Sequence, residues 1–130
     1  MISPVLAAHY ERFKVRYPNA NLTNLQNGAA LISVPSCRLP SGWSAQEVTL
    51  RFIAPNGYSV AAPDCFWVEP NLAINGRDLP KNSAINNQIP EAGILAHWFS
   101  WHVVQGHWLP NQHDLLTWMS MCLMRLQTPE

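Results

Sequence analysis

Charge is scarce in this chain of 130 residues, of which only 12% is Asp, Glu, Lys or Arg. Eight basic and eight acidic side chains cancel. Without a net charge there is no electrostatic hold on nucleic acid or on an anionic membrane, and neither is expected as a partner. Long apolar runs are also missing. None reaches the roughly 18 residues that a membrane-spanning helix needs. The first ten residues lack the basic-then-apolar order of a signal peptide. Cysteine is sparse: Cys37, Cys65 and Cys122 are an odd number with no CxxC pair. That pattern argues against a disulfide framework or a zinc knuckle, and a reducing cytoplasm is the expected setting.

What is present is an apolar fraction of 48%, enough for one core in a single domain spanning residues 1–130. Tryptophan and proline are plentiful, and so apolar a chain can keep a partner surface exposed.

The order of elements can be read from local signals. Ser3-Pro4 starts a helix, with serine as cap and proline at its first position. Leu6, Tyr10 and Phe13 share one face of it, and Tyr17-Pro18 ends it. Arg12, Lys14 and Arg16 form its basic side. Asn27-Gly28 is a turn, and residues 29–34 read as a strand followed by a loop over 35–42. Residues 47–53 alternate, with Val48, Leu50 and Phe52 on one face, and form the clearest strand. After the turn at Pro55-Asn56-Gly57, residues 65–68 suit another strand. Residues 70–97, rich in proline, glycine and asparagine, read as a long irregular excursion, with the loop itself at about 71–97. A stretch rich in histidine and tryptophan follows, from His97 to Trp108. Asp114 then caps a last helix over Leu115–Leu126, whose stripe of Leu115, Met119, Cys122 and Leu126 is core. Helix, strands, loop-rich segment and helix, with no internal repeat, predict an α+β fold built on an antiparallel meander.

Three spacings tie this order to known proteins. Tyr58 is followed by Pro63 five positions on. Pro70-Asn71 is followed by Gly76 five residues after the asparagine. Trp108-Leu109-Pro110 closes the set. Over residues 3–126 the chain thereby resembles the ubiquitin-conjugating enzymes. Those run helix, four-stranded meander, active-site loop, helix. They carry Tyr-Pro-x-x-Pro-Pro, then His-Pro-Asn with a glycine five residues later, then a catalytic cysteine eight residues before Trp-x-Pro. The Phe-Ser-Trp-His stretch at 99–102 makes the chain similar to the prokaryotic branch designated family E. Ser59 and Ala62 replace two prolines of the first motif, and Glu69 stands where its second motif has histidine.

Two departures matter. About twenty extra residues separate Gly76 from the active-site position, and counting eight back from Trp108 lands on Ser100, not on a cysteine. The two helices that end many eukaryotic members have no counterpart before Glu130.

The resemblance implies a protein that takes a ubiquitin-like modifier from an activating enzyme and passes it to a target. It implies no cofactor, because the activating enzyme consumes the ATP. It also implies a bacterial setting, with antiphage defence as the associated role. Ser100 would carry the modifier as an oxyester. A hydroxyl needs a base to become a nucleophile, and His102 is two residues away, on the same side of an extended segment. Asn71 would inherit the oxyanion-stabilising role, a contribution of about 3 kcal/mol for one donor. Arg12, Lys14 and Arg16 would face the activating enzyme, while Tyr58, Pro63, Pro70, Trp108 and Pro110 would shape the site.

Other readings stand beside this one. An inactive scaffold of the same fold would leave Ser100 a plain loop serine. Cys65, in an apolar strand, and Cys122, on the core stripe, read as inert thiols, whereas Cys37 falls in an exposable loop. His97, His102, His107 and His113 would suit a metal site, although Gly106 and Pro110 break the segment and no HExxH is present. Trp98, Trp101 and Trp108 would suit a docking surface, with Trp98 or Trp101 expected to be buried instead.

Overall fold

Helix α1 (Pro4–Arg16) begins where Ser3 Oγ accepts the Leu6 amide and ends at Tyr17. The computed structural model describes residues 1–130. Leu6 and Phe13 on the inner face of α1 are wholly buried. At the other end of the chain, Asp114 caps helix α2 (Leu115–Leu126) in a reciprocal box with Thr117. The stripe Leu115, Met119, Cys122 and Leu126 is buried as expected, and Trp118 lies within the same face.

Between the helices lie six strands: β1 (Asn21–Asn24), β2 (Ala30–Arg38), β3 (Glu47–Ala54), β4 (Phe66–Glu69), β5 (Ser83–Ile89) and β6 (Ile94–Phe99). They form one antiparallel sheet in the order β1-β2-β3-β4-β6-β5. The main core packs sheet residues such as Phe52, Phe66 and Phe99 with the two helices. A smaller cluster of Leu31, Trp67, Ile89 and Ala96 occupies the other face of the sheet. No helix is long and apolar enough to cross a membrane.

Several local expectations need correction. The excursion at 70–97 is not irregular throughout: its second half is the β5–β6 hairpin, and β6 pairs directly with β4. Its strand pattern is hidden because β5 is an edge strand with polar residues, and a bulge with Asn86 at φ 55° breaks its alternation. The loop expected over 35–42 begins later, since β2 runs to Arg38. The register shift between Val34 and Cys37 absorbs Pro35, which has no N–H to give a ladder. Cys37 is consequently a buried strand residue. Strand β1 gave no apolar signal because it too is an edge. Trp98 and Trp101 are both only half-buried, and the tryptophans inside are Trp43, Trp67 and Trp118.

The extra residues are pinned from two sides. The His97 ring accepts the Leu72 amide at 2.9 Å and meets Ser83 Oγ at 2.9 Å, with Ser83 donating to the Pro80 carbonyl. Arg125 of α2 lies 5.1 Å from the Phe99 ring and donates to the carbonyls of Lys81, Thr128 and Glu130. These contacts hold Lys81 and Asn82 against the end of β6, where Ser100 begins.

Candidate active site

Beyond Phe99 the chain stays extended. Phe99, Trp101 and Val103 point into the main core, so the intervening Ser100 and His102 face outward on one side. The Ser100 amide donates to the Asn82 carbonyl at 2.8 Å, which fixes one flank. On the other flank the Cys65 amide donates to the Trp101 carbonyl at 2.7 Å. That bond lies just past the β4–β6 pairing, in which Phe66 faces Phe99, and is offset by one residue from its register, with Cys65 at φ 54°.

Ser100 Oγ lies 3.2 Å from His102 Nε2. The other ring nitrogen, Nδ1, is hydrogen-bonded to the Asp64 carboxylate. Asp64 and His102 are both mostly exposed. Asp64 was missed in the sequence because 38 residues separate it from His102. Only the pairing of β4 with β6, and the one-residue offset of the Cys65–Trp101 bond that follows it, make them neighbours. One signal was available: Asp64 directly follows Pro63, at the end of the first matched motif.

The motifs that shape the region do converge. Tyr58 and Trp108 lie with ring centres 6.4 Å apart, and the Trp108 indole donates to the Ser59 carbonyl at 2.8 Å. Tyr58 Oη bonds His9 Nδ1 of α1 at 2.6 Å. Pro63 is buried, Pro110 half-buried and Pro70 exposed.

Asn71 is not brought to Ser100. It follows β4 at the end away from Phe66, with the four residues of that strand in between, roughly 13 Å of extended chain. There it lines a cleft with Leu72, Leu79 and Ile85. The twenty-odd inserted residues are the physical reason: they become the β5–β6 hairpin, and β6 carries Ser100 to the opposite end of β4. Asn82 is the asparagine whose backbone adjoins Ser100.

The thiols are poor alternatives. Burial pushes the Cys37 thiol up to about 11. It also raises Cys65 and, most strongly, Cys122. A thiol shifted upward is depleted in the reactive thiolate. The four histidines part company: His97 is internal, His102 holds Asp64, His107 is exposed and His113 accepts the Leu109 amide. No three His, Cys, Asp or Glu side chains gather to hold a metal ion.

On α1, Arg12 reaches Asp114 at 3.4 Å, and Lys14 and Arg16 are exposed. Arg16 also borders a groove of about 510 Å³ between the helices, lined by Tyr17, Leu116, Leu123 and Met124.

An N-terminal helix, an antiparallel sheet and a C-terminal helix, with the converging Tyr58 and Trp108 motifs beside an outward Ser100, define an E2-like α+β protein of the conjugating class. The chain belongs to prokaryotic E2 family E, whose profile matches residues 19–128. No curated protein and no solved structure matches it. Membership in this family makes it an E2-like conjugating protein, with activating enzymes or modifiers as the general class of partner.

Proposed function

We infer that the protein carries a ubiquitin-like modifier on Ser100 as an oxyester and passes it to an amine. The single observation behind this is the 3.2 Å approach of Ser100 Oγ to His102 Nε2 on an open, outward-facing edge. In the first step, Ser100 Oγ attacks the carbonyl carbon of the thioester joining the modifier's C-terminus to the activating enzyme. The C–O bond forms and the C–S bond breaks. His102 Nε2 takes the hydroxyl proton and returns it to the departing thiolate. In the second step, a target amine attacks the ester carbon, the C–O bond breaks, and an amine proton reaches Ser100 Oγ through His102. An amide remains on the target, and the serine is restored. The exposed α1 residues Arg12, Lys14 and Arg16 serve as the face toward the activating enzyme.

The distance of Asn71 from Ser100 favours a second reading, in which the domain binds an activating enzyme or modifier without chemistry. Intact-mass spectrometry after mixing the protein with its activating enzyme, modifier and ATP separates the two. Transfer on Ser100 predicts a modifier-sized adduct that resists thiols, yields to hydroxide and disappears in Ser100→Ala but not in Cys65→Ala. No adduct on the wild-type protein, with the activating enzyme demonstrably charged, sinks the transfer reading and leaves the binding one.

A further inference from the structure

Two histidines five residues apart, His97 on β6 and His102 on its extension, each meet a serine, and their proton chains run in opposite directions. At His97, Nδ1 accepts the Leu72 amide, so the ring proton sits on Nε2 and is donated to Ser83, whose own proton goes to the Pro80 carbonyl. Nothing in that chain draws a proton off the serine toward the ring. At His102, Nδ1 meets the carboxylate of Asp64. A carboxylate has acceptors and no donor, so the ring proton is drawn to Nδ1 and the Nε2 lone pair is left for Ser100. The serine hydroxyl then donates to the histidine, which is the polarity a general base requires.

We propose that Asp64 is the positioning residue of the site: it holds His102 as the Nδ1–H tautomer, with Nε2 aimed at Ser100, and faces the imidazolium formed when His102 takes the serine proton. This rests on the Ser100 reading for its use in transfer, but the tautomer is a property of the resting protein. The backbone supports the arrangement. The Cys65 amide bonds the Trp101 carbonyl, so the residues on either side of that bond, Asp64 and His102, are held beside each other. Buried Pro63 limits the freedom of the preceding link. Asp64 has no ion-pair partner other than His102.

The test uses two measurements that need neither the activating enzyme nor the modifier. Nitrogen-15 NMR reads the His102 tautomer directly. A fluorophosphonate probe, followed by intact mass and peptide mapping, reads the nucleophilicity of Ser100, because the probe forms a Ser Oγ–phosphorus bond and releases fluoride while the histidine takes the proton. The wild type is expected to show the Nδ1–H tautomer and labelling at Ser100. Asp64→Asn, whose amide can donate to Nδ1, is expected to move the ring proton to Nε2 and slow labelling on the order of 100-fold. Asp64→Glu is expected to restore the tautomer and most of the rate. Because Asp64 is exposed, its variants are expected to melt with the wild type, and circular dichroism checks this. A wild-type ring already in the Nε2–H form, or an Asp64→Asn protein with unchanged tautomer and labelling rate, overturns the inference. A wild-type protein with the Nδ1–H tautomer lost in Asp64→Asn, yet no labelling at Ser100, leaves Asp64 as the orienting residue and removes the serine chemistry proposed above.

Discussion

His97 and His102 differ in what their surroundings ask of them, although five positions apart. His97 is fully buried, stacked 4.7 Å from the Phe99 ring, with both nitrogens satisfied by groups that pin the 70–82 segment to the sheet. Burial, and then the Arg125 charge, push its pKa down to about 4, so the ring is neutral at pH 7. His102 is exposed, with a carboxylate on one nitrogen and a serine on the other. The same side chain is a structural pin in one place and a candidate base in the other. The difference lies in the second ring nitrogen: an amide donor locks the first proton chain outward from the ring, and a carboxylate turns the second inward.

Substitutions at the two histidines are expected to separate chemistry from stability. The largest effect belongs to His102→Ala, which should slow adduct formation on Ser100 by 100- to 1,000-fold, about the worth of a general base, while leaving the urea midpoint unchanged. Quenched time courses read by intact mass measure the first, and denaturation measures the second. An equal loss of stability and rate would dissolve the contrast. His97→Ala should do the reverse. It leaves the buried Leu72 amide without its partner and opens a cavity beside Phe99, so unfolding free energy should fall by about 3 kcal/mol. Urea denaturation measures this.

The pH dependence of stability sharpens the same comparison. The folded pKa of His97 lies below the unfolded value of 6.5, so below that value the unfolded chain binds the extra proton. The stability this ring contributes is full above pH 6.5 and is lost as pH falls toward 4. Linkage gives about 2 kcal/mol lost between pH 7 and 4.5. A His97→Gln variant, with no titrating ring there, should show a flatter curve over that window, and an identical curve would remove His97 as the cause. Charge reversal at Arg12 and Arg16 should weaken binding to the activating enzyme by roughly fivefold without unfolding the domain, because the Arg12–Asp114 pair is exposed and worth little. Calorimetric titration reads it, and an unchanged affinity ends the idea that this face is used. The smallest effect is expected at Asn71, where alanine should change the transfer rate by less than about twofold, since a polar contact acts only at hydrogen-bond range. A tenfold loss would mean that Asn71 reaches the reacting carbonyl after all.

The legible part of the fold was the part governed by short-range rules. Both helices announce themselves through Ser3-Pro4 and Asp114 and through apolar stripes, and β3 through strict alternation at Val48, Leu50 and Phe52. The β5–β6 hairpin was illegible because an edge strand need bury only one face, and its bulge resets the period-two pattern. The site divides in the same way. Ser100 and His102 are two residues apart, so extended geometry alone predicts their contact. The role of Asn71 came from the family motif alone, and the extra residues already counted between Gly76 and Ser100 form a hairpin that leaves Asn71 past the other end of β4.

By itself the sequence determined the helices with their caps, the apolar faces that make the core, the absence of a membrane-crossing helix, and the pairing of Ser100 with His102, because each depends on residues within a turn or two of chain. Only the tertiary structure decided which strand β6 joins, and with that which end of β4 faces Ser100. Antiparallel pairing of β4 with β6 and the one-residue offset just past it carry Asp64 to His102, and the same pairing takes Asn71 away. Register is a property of two segments held together by backbone hydrogen bonds and a shared core, and no spacing within either segment encodes it.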